Sequence, residues 1–129
     1  MPPILSIGPF KQEILKGYNQ INKKIFNSGV KEQKVDILQN KIYIFSVNPR
    51  VPVLKTLDEI DSMLARQIDS LLIDRFKLEI KLLFESYFHI RVAAVLKDYD
   101  VLTGNSGTVI ILERSVEDLL NDVPKLPNG

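Results

Sequence analysis

From Thr56 to Phe88 the chain runs TLDEIDSMLARQIDSLLIDRFKLEIKLLFESYF, with neither glycine nor proline. Leu57, Ile60, Leu64, Ile68, Leu72, Phe76, Ile80, Leu83 and Tyr87 recur at steps of three or four. That spacing is one face of an α-helix. Thr56-x-x-Glu59 has the form of a capping box and marks the expected start. At 1.5 Å per residue such a helix would be roughly 45–50 Å long. A compact domain of this chain length is only roughly 35 Å across. The helix is therefore expected either to overhang the domain and find a partner, or to break, near Asp69-Ser70.

With 129 residues there is material for one domain and one core. The net charge is +1, so no global basic field favours nucleic acid. The charge is unevenly spread: Met1–Arg50 holds eight Lys/Arg against Glu13, Glu32 and Asp36, whereas Val51–Gly129 holds nine against thirteen acids. One basic and one acidic surface would suit self-association, a partner or an anionic membrane; solvated faces without a role are the simpler reading. There is no cysteine, which removes disulfides, thiolate nucleophiles and the common zinc sites. Met1–Leu5 lacks a basic flank and a long apolar run, and no segment reaches the roughly 18–20 apolar residues of a membrane span. A soluble, cytoplasmic protein is expected.

Read in order, residues 1–8 form an arm, residues 9–121 a single α+β domain and residues 122–129 a tail. A first helix is expected from Pro9 to Asn27, with Phe10, Ile14, Tyr18, Ile21 and Ile25 as its apolar stripe and a glycine cap in Asn27-Ser28-Gly29. Gln33–Leu38 and Ile42–Val47 read as an antiparallel hairpin, the second strand apolar on both faces and hence central. The long helix follows, then His89–Lys97 as strand three, a polar loop Asp98–Gly107, Thr108–Glu113 as strand four, and a short last helix from Ser115. The order α-β-β-α-β-β packs helices on one face of a four-stranded sheet of order 3-4-2-1, a permuted ferredoxin-like arrangement. Tyr43, Phe45 and Val47 then share a face opposite Ile42 and Ile44. With no helix left to cover one apolar face, a second subunit is expected there.

Catalytic constellations are not evident. His89 is the only histidine and reads as a structural or exposed residue. No metal-ligand spacing, dinucleotide fingerprint or Walker loop occurs, so no cofactor, metal or catalytic residue is expected. The acids Asp58, Glu59, Asp61, Asp69, Asp74, Glu79 and Glu85 read as a solvated helix face with i,i+4 pairs such as Arg75–Glu79. The candidate ligand or partner loop comprises Asp98, Thr103, Gly104, Asn105 and Gly107. Its amides suit an anion; the plainer alternative is a hairpin turn needing positive φ at Gly104 and Gly107.

The stretch VAAVLKDYDVLTGNSGTVIILE carries a resemblance. A strand ending at Leu96, then Asp98, then Thr103-Gly104-x-x-Gly107 leading into an apolar strand resembles the MpsC-like family, the C component of a cation-translocating, membrane-potential-generating system, and its cyanobacterial branch in particular. The element order also matches, over about Gln12 to Glu113. The resemblance implies an accessory, non-enzymatic regulatory protein that acts through protein contacts, linked to membrane ion or bicarbonate transport, without a pore of its own. The alternative is a small RNA-binding domain using helix one and the stacking faces of Tyr43 and Phe45; DNA is not expected. Burial of the long apolar stripe and of the open sheet face predicts a homodimer, with Tyr43, Phe45, Leu72, Phe76, Ile80 and Leu83 as its candidate interface.

Overall fold

The computed structural model describes residues 6–121, so the expected arm before Ser6 and the expected tail from Asp122 lie outside the described residues. Helix α1 spans Ile7–Phe26, strands β1 and β2 Glu32–Leu38 and Lys41–Val47, and helices α2 and α3 Pro52–Ile60 and Ser62–Leu82. A π-helical turn, Leu83–Tyr87, extends α3; then come β3 (Val92–Tyr99), β4 (Asn105–Leu112) and α4 (Val116–Asn121). The four strands form one antiparallel sheet in the order β1-β2-β4-β3. This is the expected α+β architecture and the expected strand order. The doubly apolar strands β2 and β4 are central because each buries one face in the core and has a strand on either side.

The apolar period of α1 buries Phe10, Ile14, Tyr18 and Ile21. Opposite them, Val35, Ile42, Ile44, Val92, Ile110 and Leu112 point inward from the sheet, and Val116 closes one end. Helix α3 and its π-turn contribute Phe76, Ile80, Phe84 and Phe88. Phe10, Phe84 and Phe88 meet edge-to-face with centroids 5.1–6.4 Å apart, a geometry that aligns ring edges with ring faces. Helix α1 starts two residues before the expected Pro9. It ends in a left-handed cap at Asn27 (φ 55°) rather than at Gly29. Asparagine is one of the few residues that tolerates that region.

The long helix does break, but at Asp61 and not at Asp69-Ser70. Asp61 is extended (φ −151°, ψ 88°), and its carboxylate accepts the Leu64 amide at 3.1 Å, so it serves as the N-cap of α3. The start also differs. Pro52 occupies the first turn of α2, where its missing N–H leaves nothing unsatisfied. Thr56 is inside the helix, and its hydroxyl donates to the Pro52 carbonyl instead of capping. Beyond Leu82 the Phe88 amide reaches back five residues to the Leu83 carbonyl. The extra residue rotates the stripe: Phe84 and Phe88 turn into the core while Tyr87 is exposed. His89 takes a left-handed conformation (φ 59°) after this turn, so it ends the helix and does not begin strand three.

Strand β3 carries a bulge at Ala93, between Val92 and Ala94. Strict alternation from the buried Val92 would place Lys97 on the open face. The extra residue reverses that phase. Leu96 faces out, 53% exposed, and Lys97 turns under the helices.

Candidate functional site

Lys97 is the centre of a polar cluster inside the domain. Its ammonium donates to Ser106 Oγ at 2.7 Å and to Tyr18 Oη and Thr108 Oγ1, each at 3.3 Å. It lies 4.1 Å from the ring centroid of Phe76 and 5.4 Å from that of Tyr18. From there the bonds run in one direction. Tyr18 Oη pairs with Ser46 Oγ at 2.8 Å, and Ser46 donates to Asn48 Oδ1 at 2.7 Å. Asn48 Nδ2 donates to Asn22 Oδ1, and Asn22 Nδ2 to the Tyr18 carbonyl. The α1 stripe supplies Tyr18 and Asn22, the ends of β2 and β4 supply Ser46, Ser106 and Thr108, and the β3 bulge supplies Lys97.

Among the described residues no carboxylate takes part in this cluster. Burial lowers the Lys97 ammonium below the ordinary lysine range, and its contact with Tyr18 only partly opposes that. Burial pushes the Tyr18 phenol up, but the Lys97 charge together with the bonds from Ser46, Ser106 and Lys97 outweighs it, leaving the phenol below its ordinary value. All three ammonium hydrogens are engaged by hydroxyls of the chain. The arrangement therefore holds the Lys97 amine within the core on hydroxyls of the chain, at the edge of a cleft shared with Arg50.

Beside this cluster Arg50 joins three segments. Its guanidinium is bidentate to Asp58 of α2 (2.9 and 2.7 Å) and bidentate to Asp69 of α3 (2.7 and 2.9 Å). It also sits 6.0 Å from the Tyr99 ring, whose hydroxyl donates to the Asn48 carbonyl. The two aspartates hold the guanidinium well above its usual range, and Arg50 holds the Asp58 carboxyl below the carboxylate range. Asp69 thus locks the α2–α3 elbow and does not break the helix. Between Arg50, Asp69, Lys97 and Tyr99 is a narrow cleft with ≈ 30 Å³ of room, about enough for one water.

The helix acids are not one solvated face. Besides the bonds of Asp58, Asp61 and Asp69, Glu79 has its expected i,i+4 partner Arg75 at 2.7 Å but also pairs across to Lys24 at 3.0 Å, and Glu85 accepts the Val92 amide. Among the described residues no group of three or more His, Cys, Asp or Glu is placed to hold a metal.

The candidate loop is shorter than its sequence pattern implied. Asp98 belongs to β3, and Asn105, Ser106 and Gly107 belong to β4. The turn closes on itself: Gly104 N–H donates to the Asp100 carbonyl, Thr103 donates through its amide and hydroxyl to the Asp100 carboxylate, and the Asn105 amide meets Thr103 Oγ1. Those three amides are already engaged, which favours the hairpin reading over an anion cradle. Only Gly104 of the two glycines has positive φ (79°); Gly107 does not, because it is paired strand backbone. A Cβ on Gly104 would stand 2.7 Å from the Asn48 carbonyl oxygen.

Two apolar surfaces remain outside. On the open sheet face Tyr43, Phe45, Val109 and Leu96 line adjacent rows, and the Phe45 ring rests against Gly107. On α3, Leu64, Leu71, Leu78 and Leu82 are exposed at spacings of seven and four, Leu71 by 68%. Ile60 and Met63 extend this seam around the elbow. Of the six residues expected at a dimer interface, Tyr43 and Phe45 are on the open face, Phe76 and Ile80 are enclosed in the core, and Leu72 and Leu83 are partly buried, Leu83 facing Gly17. The residues that sequence reasoning passed over are Lys97, whose inward aim depends on a bulge, Arg50, and the leucine seam. The seam was legible as a second seven-residue spacing beside the buried stripe.

No helix among the described residues is long and apolar enough to cross a membrane. Comparison with curated proteins and with solved structures returns no match. The model of one family, described as the Na+-translocating membrane potential-generating system (MpsC), matches residues 7–114, from the first turn of α1 to just beyond β4. That span takes in the whole sheet, the Lys97 cluster and the Arg50 clamp, and the chain belongs to the MpsC family.

Proposed function

We propose that this chain is a non-enzymatic accessory protein of a Na+-translocating, membrane-potential-generating system, and that it acts by docking on a membrane component of that system. The family description supports the setting. The observation that carries the mode of action is the leucine seam of α3. Leu64, Leu71, Leu78 and Leu82 lie on the side of the helix opposite Phe76 and Ile80, and among the described residues they are left exposed, Leu78 beside β3 and Leu82 beside α1. An apolar residue at every seventh position supplies one of the two heptad positions through which helices pack, and Leu82, four residues after Leu78, supplies the second at one end. The Arg50 clamp supports this role by holding the elbow, and so the direction of the seam, rigid. The interior polar residues bond to one another, which suits a structural element better than a reacting centre. An RNA surface on Tyr43 and Phe45 is disfavoured because Asp36 stands beside Tyr43 and Asp98 ends the Phe45 row, offsetting Lys34 and leaving the face without a net positive charge.

The test is association with native membranes. The unaltered chain should co-sediment with membranes containing the transport system, and Leu71→Asp with Leu78→Asp should abolish this while leaving the circular dichroism unchanged. A doubly substituted chain that still co-sediments, or a native chain that never does, would overturn the proposal.

A further inference from the structure

The open face of the sheet has a charge order that selects its own occupant. Across the sheet the register aligns Lys34 on β1, Phe45 on β2, Gly107 on β4 and Asp98 on β3 in a single row. The next row reads Asp36, Tyr43, Val109 and Leu96, and the one after it Leu38, Lys41, Ile111 and Ala94. The middle of this face is apolar, with Phe45 and Leu96 each 53% exposed. One end of the first row is cationic and the other anionic. Lys34 has only a loose contact with Asp36, 3.8 Å, and among the described residues no ion pair involves Asp98.

We infer that a second copy of this chain covers the face, sheet against sheet, about a two-fold axis running along the strands between β2 and β4. Such an axis preserves each row and exchanges its ends. Lys34 of one copy meets Asp98 of the other, twice. Phe45 meets Gly107 of the other copy, against which that copy's own Phe45 ring rests, so the two rings pack together beside the axis. Tyr43 meets Val109, Leu38 meets Ala94 and Lys41 meets Ile111, while Asp36, with Lys34 of its own copy 3.8 Å away, meets Leu96 at the sheet edge. An axis across the strands would instead stack β1 on β1 and β3 on β3, so that Lys34 and Asp98 could not meet. Aligned sheets pack within about 30° of one another, and the axis along the strands allows this. The sheet footprint is on the order of 450 Å² per copy from strand spacing and rise. This is at the small end for specific interfaces, so the dimer should be reversible at micromolar concentration. The inference is independent of the proposed function, because the α3 seam and the sheet face are separate surfaces.

Sedimentation velocity over roughly 1–100 µM, with fold checked by circular dichroism, tests it. The native chain should approach twice its 14.7 kDa mass at the upper end. Lys34→Glu alone and Asp98→Lys alone should each weaken association at least tenfold, and the two together should restore it, since the swap rebuilds both contacts. Both positions are exposed, so folding is not at issue. Phe45→Ser should dissociate the dimer without unfolding it. A native monomer at 100 µM, a dimer indifferent to Phe45→Ser, or a double reversal that stays as weak as the singles would overturn the inference.

Discussion

Replacing Arg50 by alanine tests whether the α2–α3 elbow is fixed by one side chain. Four charge-assisted bonds of 2.7–2.9 Å disappear together, and Asp58 and Asp69 lose their shared cation. Removing one partner of a buried ion pair costs about 3–5 kcal/mol. The Arg50 side chain is only 10% exposed, but its partners are partly solvated and can rehydrate. The low end, about 3 kcal/mol, is therefore expected. At an unfolding entropy of roughly 2.1 cal/mol/K per residue, that lowers the melting temperature by about 11 °C. Arg50→Lys keeps the charge but loses the fork, so it should fall between the two. Acid titration gives a second reading. Arg50 depresses the Asp58 pKa in the folded state. That contribution is present above the ordinary aspartate value of 3.8 and is lost as pH falls through the folded value. Below pH 4 the stability of Arg50→Ala should therefore decline less steeply than that of the native chain. Calorimetry showing a melting shift under about 3 °C, or equal slopes in acid, would refute the clamp.

Three further outcomes follow from the same geometry. Asp61→Ala should cost about 1 kcal/mol in urea unfolding, because the Leu64 amide loses its cap. Gly104→Ala should cost at least about 2 kcal/mol, since it combines a left-handed backbone with a Cβ against the Asn48 carbonyl, and a neutral result would contradict the turn. For the cluster, both Lys97 and Tyr18 release protons at lower pH when folded than when unfolded. The unfolded chain then holds more protons, so stability from this pair rises with pH from the folded values up to the ordinary lysine and tyrosine values near 10. Lys97→Met should flatten that rise and move the Tyr18 phenolate absorbance to higher pH.

Features repeated at short range were legible. Of the five residues of the α1 stripe, Phe10, Ile14, Tyr18 and Ile21 are buried at the helical period, and Ile25 packs partly buried against the core. The central positions of β2 and β4 followed from apolar residues on both faces. Single-residue phase shifts were not legible. The Asp61 cap interrupts an apolar spacing that continues through it, and the π-turn at Leu83–Tyr87 exchanges Tyr87 for Phe88. The Ala93 bulge matters most, because alternation alone places Leu96 inside and Lys97 outside, the reverse of what occurs. The helix acids were misread for a different reason: Arg50 reaches Asp69, and Lys24 reaches Glu79, only through tertiary packing. No pattern within the helix reports such partners.

The α3 seam is the proposed contact with a membrane component. A photoreactive amino acid incorporated in place of Leu71, irradiated in native membranes and resolved by mass spectrometry, tests that contact directly. The account predicts one dominant adduct with an integral membrane protein of the Na+-translocating system, absent when the same group replaces the exposed Leu38 on the sheet. Adducts only with a second copy of this chain, or the same adduct from both positions, would contradict it.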